Sequence, residues 1–159
     1  MEKPRITLAV IMQRRTTSNR WESVQWEPWS VIESEAPPGA PRMLVEEPGL
    51  SQWLHPGFPL ELHRDEAEGY YLNVSSGSPR IFVLWRMEED TESGLPLQVT
   101  ASYYEGGRWL DGGNSVDSVS MTPEIFAWVG EYVENNYRPE PKKRIKPRSF
   151  LHPKDRPQR

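Results

Sequence analysis

Residues 95–137, LPLQVTASYYEGGRWLDGGNSVDSVSMTPEIFAWVGEYVENNY, decide the fold that we predict for this chain. Residues 99–104 alternate between two faces, which predicts a strand, and the two Gly-Gly pairs that follow predict turns. A helix is then predicted over residues 122–137, because Thr122 is a suitable N-cap and Pro123 fits the first helical position.

The predicted helix carries an apolar stripe that the rest of the chain must cover. The residues of the stripe fall at positions i, i+3, i+4, i+7 and i+8: Ile125, Trp128, Val129, Tyr132 and Val133. Burial of a large apolar side chain contributes roughly 1.5–3 kcal/mol, so this stripe is expected to be a main source of stability.

Six or seven short strands are predicted along the chain. Residues 5–13 are apolar on both faces, which indicates a central strand covered on both sides. Residues 21–32 form a second strand, in which Pro28 favours an edge position or a bulge. Further strands are predicted over residues 66–74 and 80–87, joined by a hairpin loop, and at most a short strand over residues 43–45.

Short connections between consecutive strands favour antiparallel neighbours and a meander. We therefore expect a mainly β domain over residues 1–137, with one C-terminal helix at residues 122–137. The expected shape is a bent sheet or partly open barrel, pleckstrin-like in architecture. Residues 138–159 are expected to form a basic, proline-rich and disordered tail.

Charge is divided unequally between these two parts. The whole chain has a formal charge of −4, whereas residues 138–159 contain nine Lys or Arg and two acids, a charge of +7. Residues 1–137 therefore carry −11. An acidic body repels nucleic acid and membrane surfaces, whereas the basic tail is able to bind nucleic acid or an acidic protein surface.

Composition excludes several classes of site. Cysteine is absent, which rules out disulfides, thiolate metal sites and a cysteine nucleophile. No stretch approaches the roughly 20 apolar residues of a membrane span, and the N-terminus lacks a small-residue cleavage site. We expect a soluble, cytoplasmic protein without a membrane span.

Residues with catalytic or metal-binding chemistry do not form a recognisable motif. Glu61, His63, Asp65 and Glu68 are interpreted as a solvated strand end and turn, because a metal site draws convergent ligands from several elements. The Gly-Gly pairs lack the spacing of phosphate-binding loops, and no Gly-x-Ser-x-Gly elbow is present. We expect no catalytic residues, no metal and no cofactor, and hence not an enzyme.

Candidate partner-binding residues lie in two places. Trp109, with its neighbour Arg108, is a candidate exposed anchor in a turn region, because interfaces favour Trp and Arg. The tail contains five cationic residues followed by two apolar residues, and all seven are candidates for binding a partner: Lys142, Lys143, Arg144, Lys146, Arg148, Phe150 and Leu151.

Three stretches carry a family resemblance: RITLAVIMQRRTTSNRWESVQWEPWSV, VTASYYEGGRWLDGGNSVDSV and MTPEIFAWVGEYVENNYRPEPKKR. Together they resemble an uncharacterised proteobacterial family, a domain of unknown function encoded near molybdenum-dependent formate dehydrogenases and their maturation factors. Some members are labelled molybdopterin-guanine dinucleotide biosynthesis proteins, an activity that requires a Gly-rich nucleotide loop absent from this N-terminus. The resemblance implies no catalytic residues.

Three hypotheses about function remain open from the sequence. The first is a non-catalytic accessory or docking protein, acting in assembly of a formate dehydrogenase through contacts with its subunits or maturation factors. The second is nucleic-acid binding through the basic tail, which predicts affinity that falls steeply with salt. The third is binding of a small ligand in the mouth of the barrel.

Overall fold

The computed structural model describes residues 4–18 and 23–138. The strands in this part of the chain are β1 (Arg5–Thr16), β2 (Val24–Glu33), β3 (Arg42–Glu47), β4 (Leu50–Glu61), β5 (Arg80–Glu88), β6 (Ser93–Thr100) and β7 (Ser115–Ser120). The helices are α1 (Ala67–Val74), α2 (Tyr103–Asp111) and α3 (Pro123–Asn136), and a 3₁₀ turn at Arg64–Glu66 precedes α1.

The strands form two antiparallel sheets. The larger has the order β2-β1-β4-β3 and the smaller has the order β6-β5-β7. The prediction of a mainly β, antiparallel fold is confirmed. The predicted meander is wrong, because β4 lies beside β1 and β7 lies beside β5, so consecutive strands are not always neighbours. The described strands do not close into a barrel, because they divide between these two sheets, and the pleckstrin-like shape is not confirmed. None of the described helices is long and apolar enough to cross a membrane.

Strand β1 occupies the centre of the larger sheet, as its two apolar faces predicted. Leu8, Val10 and Met12 are fully buried in the core cluster. The opposite face is buried as well, and there the Gln13 side chain accepts a hydrogen bond from Gln52 Nε2 at 2.7 Å. Gln13 Nε2 in turn donates a hydrogen bond to a Glu27 carboxylate oxygen. The two bonds satisfy the buried Gln13 amide, which would otherwise be costly to bury.

Strand β2 lies at an edge of the sheet and contains a bulge. Ile11 pairs with Ser30 and Met12 with Pro28, so Trp29 has no partner on β1. This arrangement confirms the prediction drawn from Pro28, which lacks the N–H group that regular pairing needs. The Trp29 side chain is 51 % exposed as a result.

Helix α3 closes the core as its sequence predicted. The Thr122 hydroxyl accepts a hydrogen bond from Ile125 N at 3.2 Å, which caps the first turn. Ile125 and Val129 are fully buried and Val133 is nearly so, while Trp128 and Tyr132 are half-buried against the same core. The helix packs on α1.

The prediction of a single helix is wrong, because two further helices occur where strand and turns were expected. Residues 66–74 form α1 and the end of the 3₁₀ turn rather than a strand. Tyr70 and Asn73 are buried at a spacing of three residues, which suits a helix. Residues 75–79 therefore join a helix to a strand and are not a hairpin loop.

The second helix missed from the sequence is α2, which contains the first Gly-Gly pair. Ser102 caps it by accepting a hydrogen bond from Glu105 N at 3.2 Å. A Cβ atom at Gly106 would lie 3.0 Å from the Phe82 ring, so this glycine allows close packing and does not form a turn. The second pair, Gly112 and Gly113, follows the helix as the predicted turn.

Candidate functional site

The larger of two grooves lies between the larger sheet and the β5–β6 hairpin, and we call it the acid-rimmed groove. It has a volume of 1170 Å³ and is bounded by the start of β2, by β3, by the start of β4 and by the β5–β6 hairpin. Its main apolar side chains are Trp26, Met43, Trp53, Met87 and Leu95.

Strand register explains why these side chains meet. Met43 pairs with Trp53, and Trp53 pairs in turn with Met12. Paired residues on antiparallel strands point to the same side of a sheet, so the three form one row across it. Trp53 Nε1 donates to Ser51 Oγ at 3.3 Å, which fixes the indole orientation.

Trp26 forms the adjoining part of the groove wall and contacts the smaller sheet. A Cβ atom at Gly94 would lie 3.0 Å from Trp26 Cβ and 3.2 Å from Met12 Cε, so the hairpin backbone approaches closely here. Trp26 Nε1 is buried, and no acceptor within the described residues lies at hydrogen-bonding distance from it. An indole N–H without an acceptor costs about 1–3 kcal/mol relative to a bonded one.

Carboxylates dominate the rim of the groove. Glu46 and Glu47 come from β3, and three more glutamates come from the β5–β6 hairpin: Glu88, Glu89 and Glu92. Arg14 is the one Lys or Arg in the described lining. Burial lowers the pKa of His55, so its imidazole is neutral at pH 7 and does not offset the acids. The groove therefore has a negative potential around an apolar floor.

A second, more polar groove of 810 Å³ lies between the 3₁₀ turn and the end of α3. Its lining includes His63, Arg64, Asp65, Trp128 and Asn136. His63 Nε2 lies 3.9 Å from a Glu61 carboxylate oxygen. Across residues 4–18 and 23–138, no group of three or more His, Asp or Glu side chains is arranged to hold a metal ion.

The two sequence-predicted anchors that the structure describes lie on α2, not in a turn. Arg108 forms an ion pair with Glu66, whose other oxygen accepts a hydrogen bond from Ser102 Oγ at 2.5 Å. These contacts tie α2 to the start of α1 and engage the Arg108 guanidinium within the chain. Trp109 is half-buried rather than fully exposed. Their role in partner binding stays a prediction.

The remaining predicted binding residues lie outside the described residues: Lys142, Lys143, Arg144, Lys146, Arg148, Phe150 and Leu151. Nucleic-acid binding through this segment also stays a prediction. Binding of a small ligand in a barrel mouth stays a prediction as well, and the described strands form two sheets rather than a closed barrel.

Sequence reasoning also missed an aromatic patch on the helices. The rings of Tyr71 and Tyr137 lie 5.0 Å apart, and partial desolvation together with the nearby Glu68 carboxylate raises the pKa of Tyr137. Partial desolvation and the Glu68 carboxylate raise the pKa of Tyr104, which places Tyr104 in the same patch. Tyr71 of α1, Tyr104 of α2 and Tyr137, the residue that follows α3, lie close together although they are far apart in the sequence.

Comparison with known proteins gives one match. Residues 7–146 match the model of a family described as "Protein of unknown function (DUF3305)". No curated protein and no solved structure matches the chain significantly.

Proposed function

The chain belongs to the DUF3305 family of proteins of unknown function, and we propose that it is a non-catalytic docking protein. Its acid-rimmed groove binds a positively charged segment of a partner protein that carries apolar anchors. The observation that carries the proposal is the placement of five glutamates around a floor of tryptophan and methionine.

The chemistry of the groove selects this class of partner. Tryptophan and methionine surfaces favour apolar and cationic side chains, because Trp rings attract cations and Met adapts to irregular shapes. The glutamates attract Lys and Arg and repel phosphate, which disfavours nucleic acid at this site. A polypeptide segment that alternates Lys or Arg with Phe or Leu satisfies both parts of the groove.

The edge strand β3 adds a second means of recognition. It is the outermost strand of its sheet and lines the groove through Met43, Glu46 and Glu47. An edge strand presents unpaired N–H and C=O groups, and an extended partner segment is able to pair with them. Backbone pairing would give affinity, and the rim glutamates would give selectivity for cations.

The resemblance described above supports a formate dehydrogenase subunit or maturation factor as the partner, in which case the protein assists assembly of that enzyme. Binding assays with the purified molybdenum-dependent dehydrogenase and its maturation factors test this identification. We expect binding that weakens when groove glutamates are reversed to lysine. A complex that these substitutions leave unchanged would show that the partner docks elsewhere.

Titration with a synthetic peptide tests the groove itself. A fluorescently labelled peptide of alternating Lys with Phe and Leu is titrated with the full-length protein at low salt. Each exposed ion pair contributes about 0.2–1 kcal/mol, so reversal of two of them in Glu46→Lys/Glu89→Lys weakens binding about tenfold. Both side chains are exposed, so the fold tolerates the change.

Two controls separate the groove from general charge attraction. Glu33→Lys/Glu134→Lys makes the same change in net charge at exposed positions outside the groove, and it is expected to leave binding nearly unchanged. A peptide with Glu in place of Lys is expected not to bind. Equal loss of affinity in both double variants would refute the proposal.

A further inference from the structure

We propose that the acid-rimmed groove receives residues 142–151 of a second copy of this chain, so that two molecules exchange their basic segments. The inference rests on the proposed function, because it names one occupant of the same groove. The segment reads KKRIKPRSFL and contains five cations within seven residues, followed by Phe150 and Leu151.

Charge complementarity supports this occupant. The groove presents five glutamates and one arginine, and the segment presents only cations among its ionisable residues. The same division holds for the whole chain, with −11 on residues 1–137 and +7 on residues 138–159. Phe150 and Leu151 supply the apolar anchors that the tryptophan and methionine floor requires, and an aromatic or aliphatic anchor at the centre of an interface contributes most of its affinity.

Distance favours exchange between molecules over folding back within one. Pro4 lies beside the end of α3, since it lines the same polar groove as Asn136. Strand β1 then runs from that end to Arg14, which lines the acid-rimmed groove. Arg14 pairs with Ser51 of β4, and Ser51 pairs with Glu46 of β3, so Arg14 and Glu46 lie at the same height in the sheet. At about 3.3 Å per residue, β1 separates the two ends by about 33 Å.

The start of the basic run cannot cross this distance. Lys142 follows Asn136 by six residues and Arg144 follows it by eight. A fully extended chain covers at most about 3.6 Å per residue, which gives about 22 and 29 Å even along a straight line. Within one molecule, residues 142–144 therefore fall short of the glutamates, although residues 146–151 are far enough along the chain to reach them. Only a second molecule is able to bring the whole segment to the groove. A two-fold exchange fills both grooves and closes the assembly as a dimer.

Charge-swap variants of the full-length chain test the exchange by sedimentation velocity at low salt. Glu46→Lys/Glu89→Lys reverses part of the groove, and Lys143→Glu/Lys146→Glu reverses part of the segment. The unaltered protein is expected to show a concentration-dependent dimer. Each variant alone is expected to dimerise about a hundredfold more weakly, because like charges face each other in both exchanges and each exchange loses about tenfold.

An equimolar mixture of the two variants gives the decisive result. In the mixed dimer the reversed groove faces the reversed segment and the native groove faces the native segment, so both contacts are attractive. We expect dimerisation to recover in the mixture. A monomeric unaltered protein, or a mixture no more dimeric than its components, would overturn the exchange. If the unaltered protein were monomeric but still bound the Lys-Phe-Leu peptide through the groove, the proposed function would stand without the exchange. Failure of the unaltered protein to bind the peptide would overturn both the exchange and the proposed function.

Discussion

Asn73 connects three elements, and its replacement provides a quantitative test of the packing between helices and sheet. The side chain is fully buried. Its Nδ2 group donates to Arg80 O at 2.6 Å and to Ala101 O at 2.8 Å, and its Oδ1 atom accepts from Arg80 N at 2.8 Å. The three bonds join α1 to the start of β5 and to the segment that leads into α2.

The Asn73→Ala variant removes all three bonds and leaves their backbone partners without this side chain. At a net value of about 1 kcal/mol for each bond, the loss is about 3 kcal/mol. Alanine is a better helix former than asparagine by up to about 0.7 kcal/mol, which reduces the expected destabilisation to between about 2 and 3 kcal/mol.

Urea denaturation followed by far-UV circular dichroism measures this change. With a slope of about 1.5 kcal/mol per molar urea, the midpoint is expected to fall by roughly 1.3–2 M. The exposed Asn135→Ala variant serves as the control and is expected to change stability by less than about 0.5 kcal/mol. A loss of less than about 1 kcal/mol for Asn73→Ala would refute the view that this side chain joins the three elements.

Three other substitutions or conditions give further tests. Gly94→Ala places a methyl group against Trp26 and Met12, so we expect a loss of about 1–3 kcal/mol in unfolding free energy, and an unchanged value in denaturation would contradict this close approach. Thr122→Ala removes the cap of α3 and is expected to cost about 1 kcal/mol, whereas Thr122→Ser should retain most of the stability in the same assay. Burial lowers the pKa of His55, so the folded state favours the neutral imidazole. The stability that depends on neutral His55 is therefore complete above a pH of about 6.5 and declines as the pH falls below that value. Denaturation curves measured at several pH values are expected to show a smaller decline for the His55→Gln variant.

The elements that were predicted correctly carry their signals within a few neighbouring residues. Thr122 and Pro123 mark the start of α3, and its apolar stripe repeats at helical spacing over several turns. Pro28 marks the bulge and edge of β2, because a residue without an N–H group cannot pair regularly. Such signals depend on backbone chemistry within a few residues, so they can be read from the sequence alone.

The two helices that were missed, α1 and α2, have sequence patterns that are compatible with a helix and also with another structure. Ser102 and Glu105 have the spacing of a helix-capping box, which indicates the start of α2, but Gly106 and Gly107 favour a turn. The structure resolves the conflict through Phe82, whose ring approaches Gly106 from a distant strand. Helix α1 is only eight residues long, and over that length a helical and an alternating apolar pattern are hard to tell apart.

The candidate groove was beyond sequence reasoning, because residues from separate parts of the chain form it. The tryptophans Trp26 and Trp53 meet the glutamates of β3 and the β5–β6 hairpin only through strand register and the packing of that hairpin beside the larger sheet. Seven tryptophans and an acidic body were visible in the sequence. The sequence did not show that these tryptophans and glutamates lie together, and the predicted anchor was therefore Trp109.

The most direct test of the docking account is the response of the tryptophan indole N–H signals in a nitrogen–proton correlation spectrum. The chain has seven tryptophans, each of which gives one such signal, assigned by Trp→Phe variants. When the Lys-Phe-Leu peptide is added to the full-length protein, we expect the Trp26 and Trp53 signals to shift progressively and those of Trp109 and Trp128 to stay in place. Shifts confined to Trp109 or Trp128, or no shift at saturating peptide, would contradict the assignment of the acid-rimmed groove as the docking site.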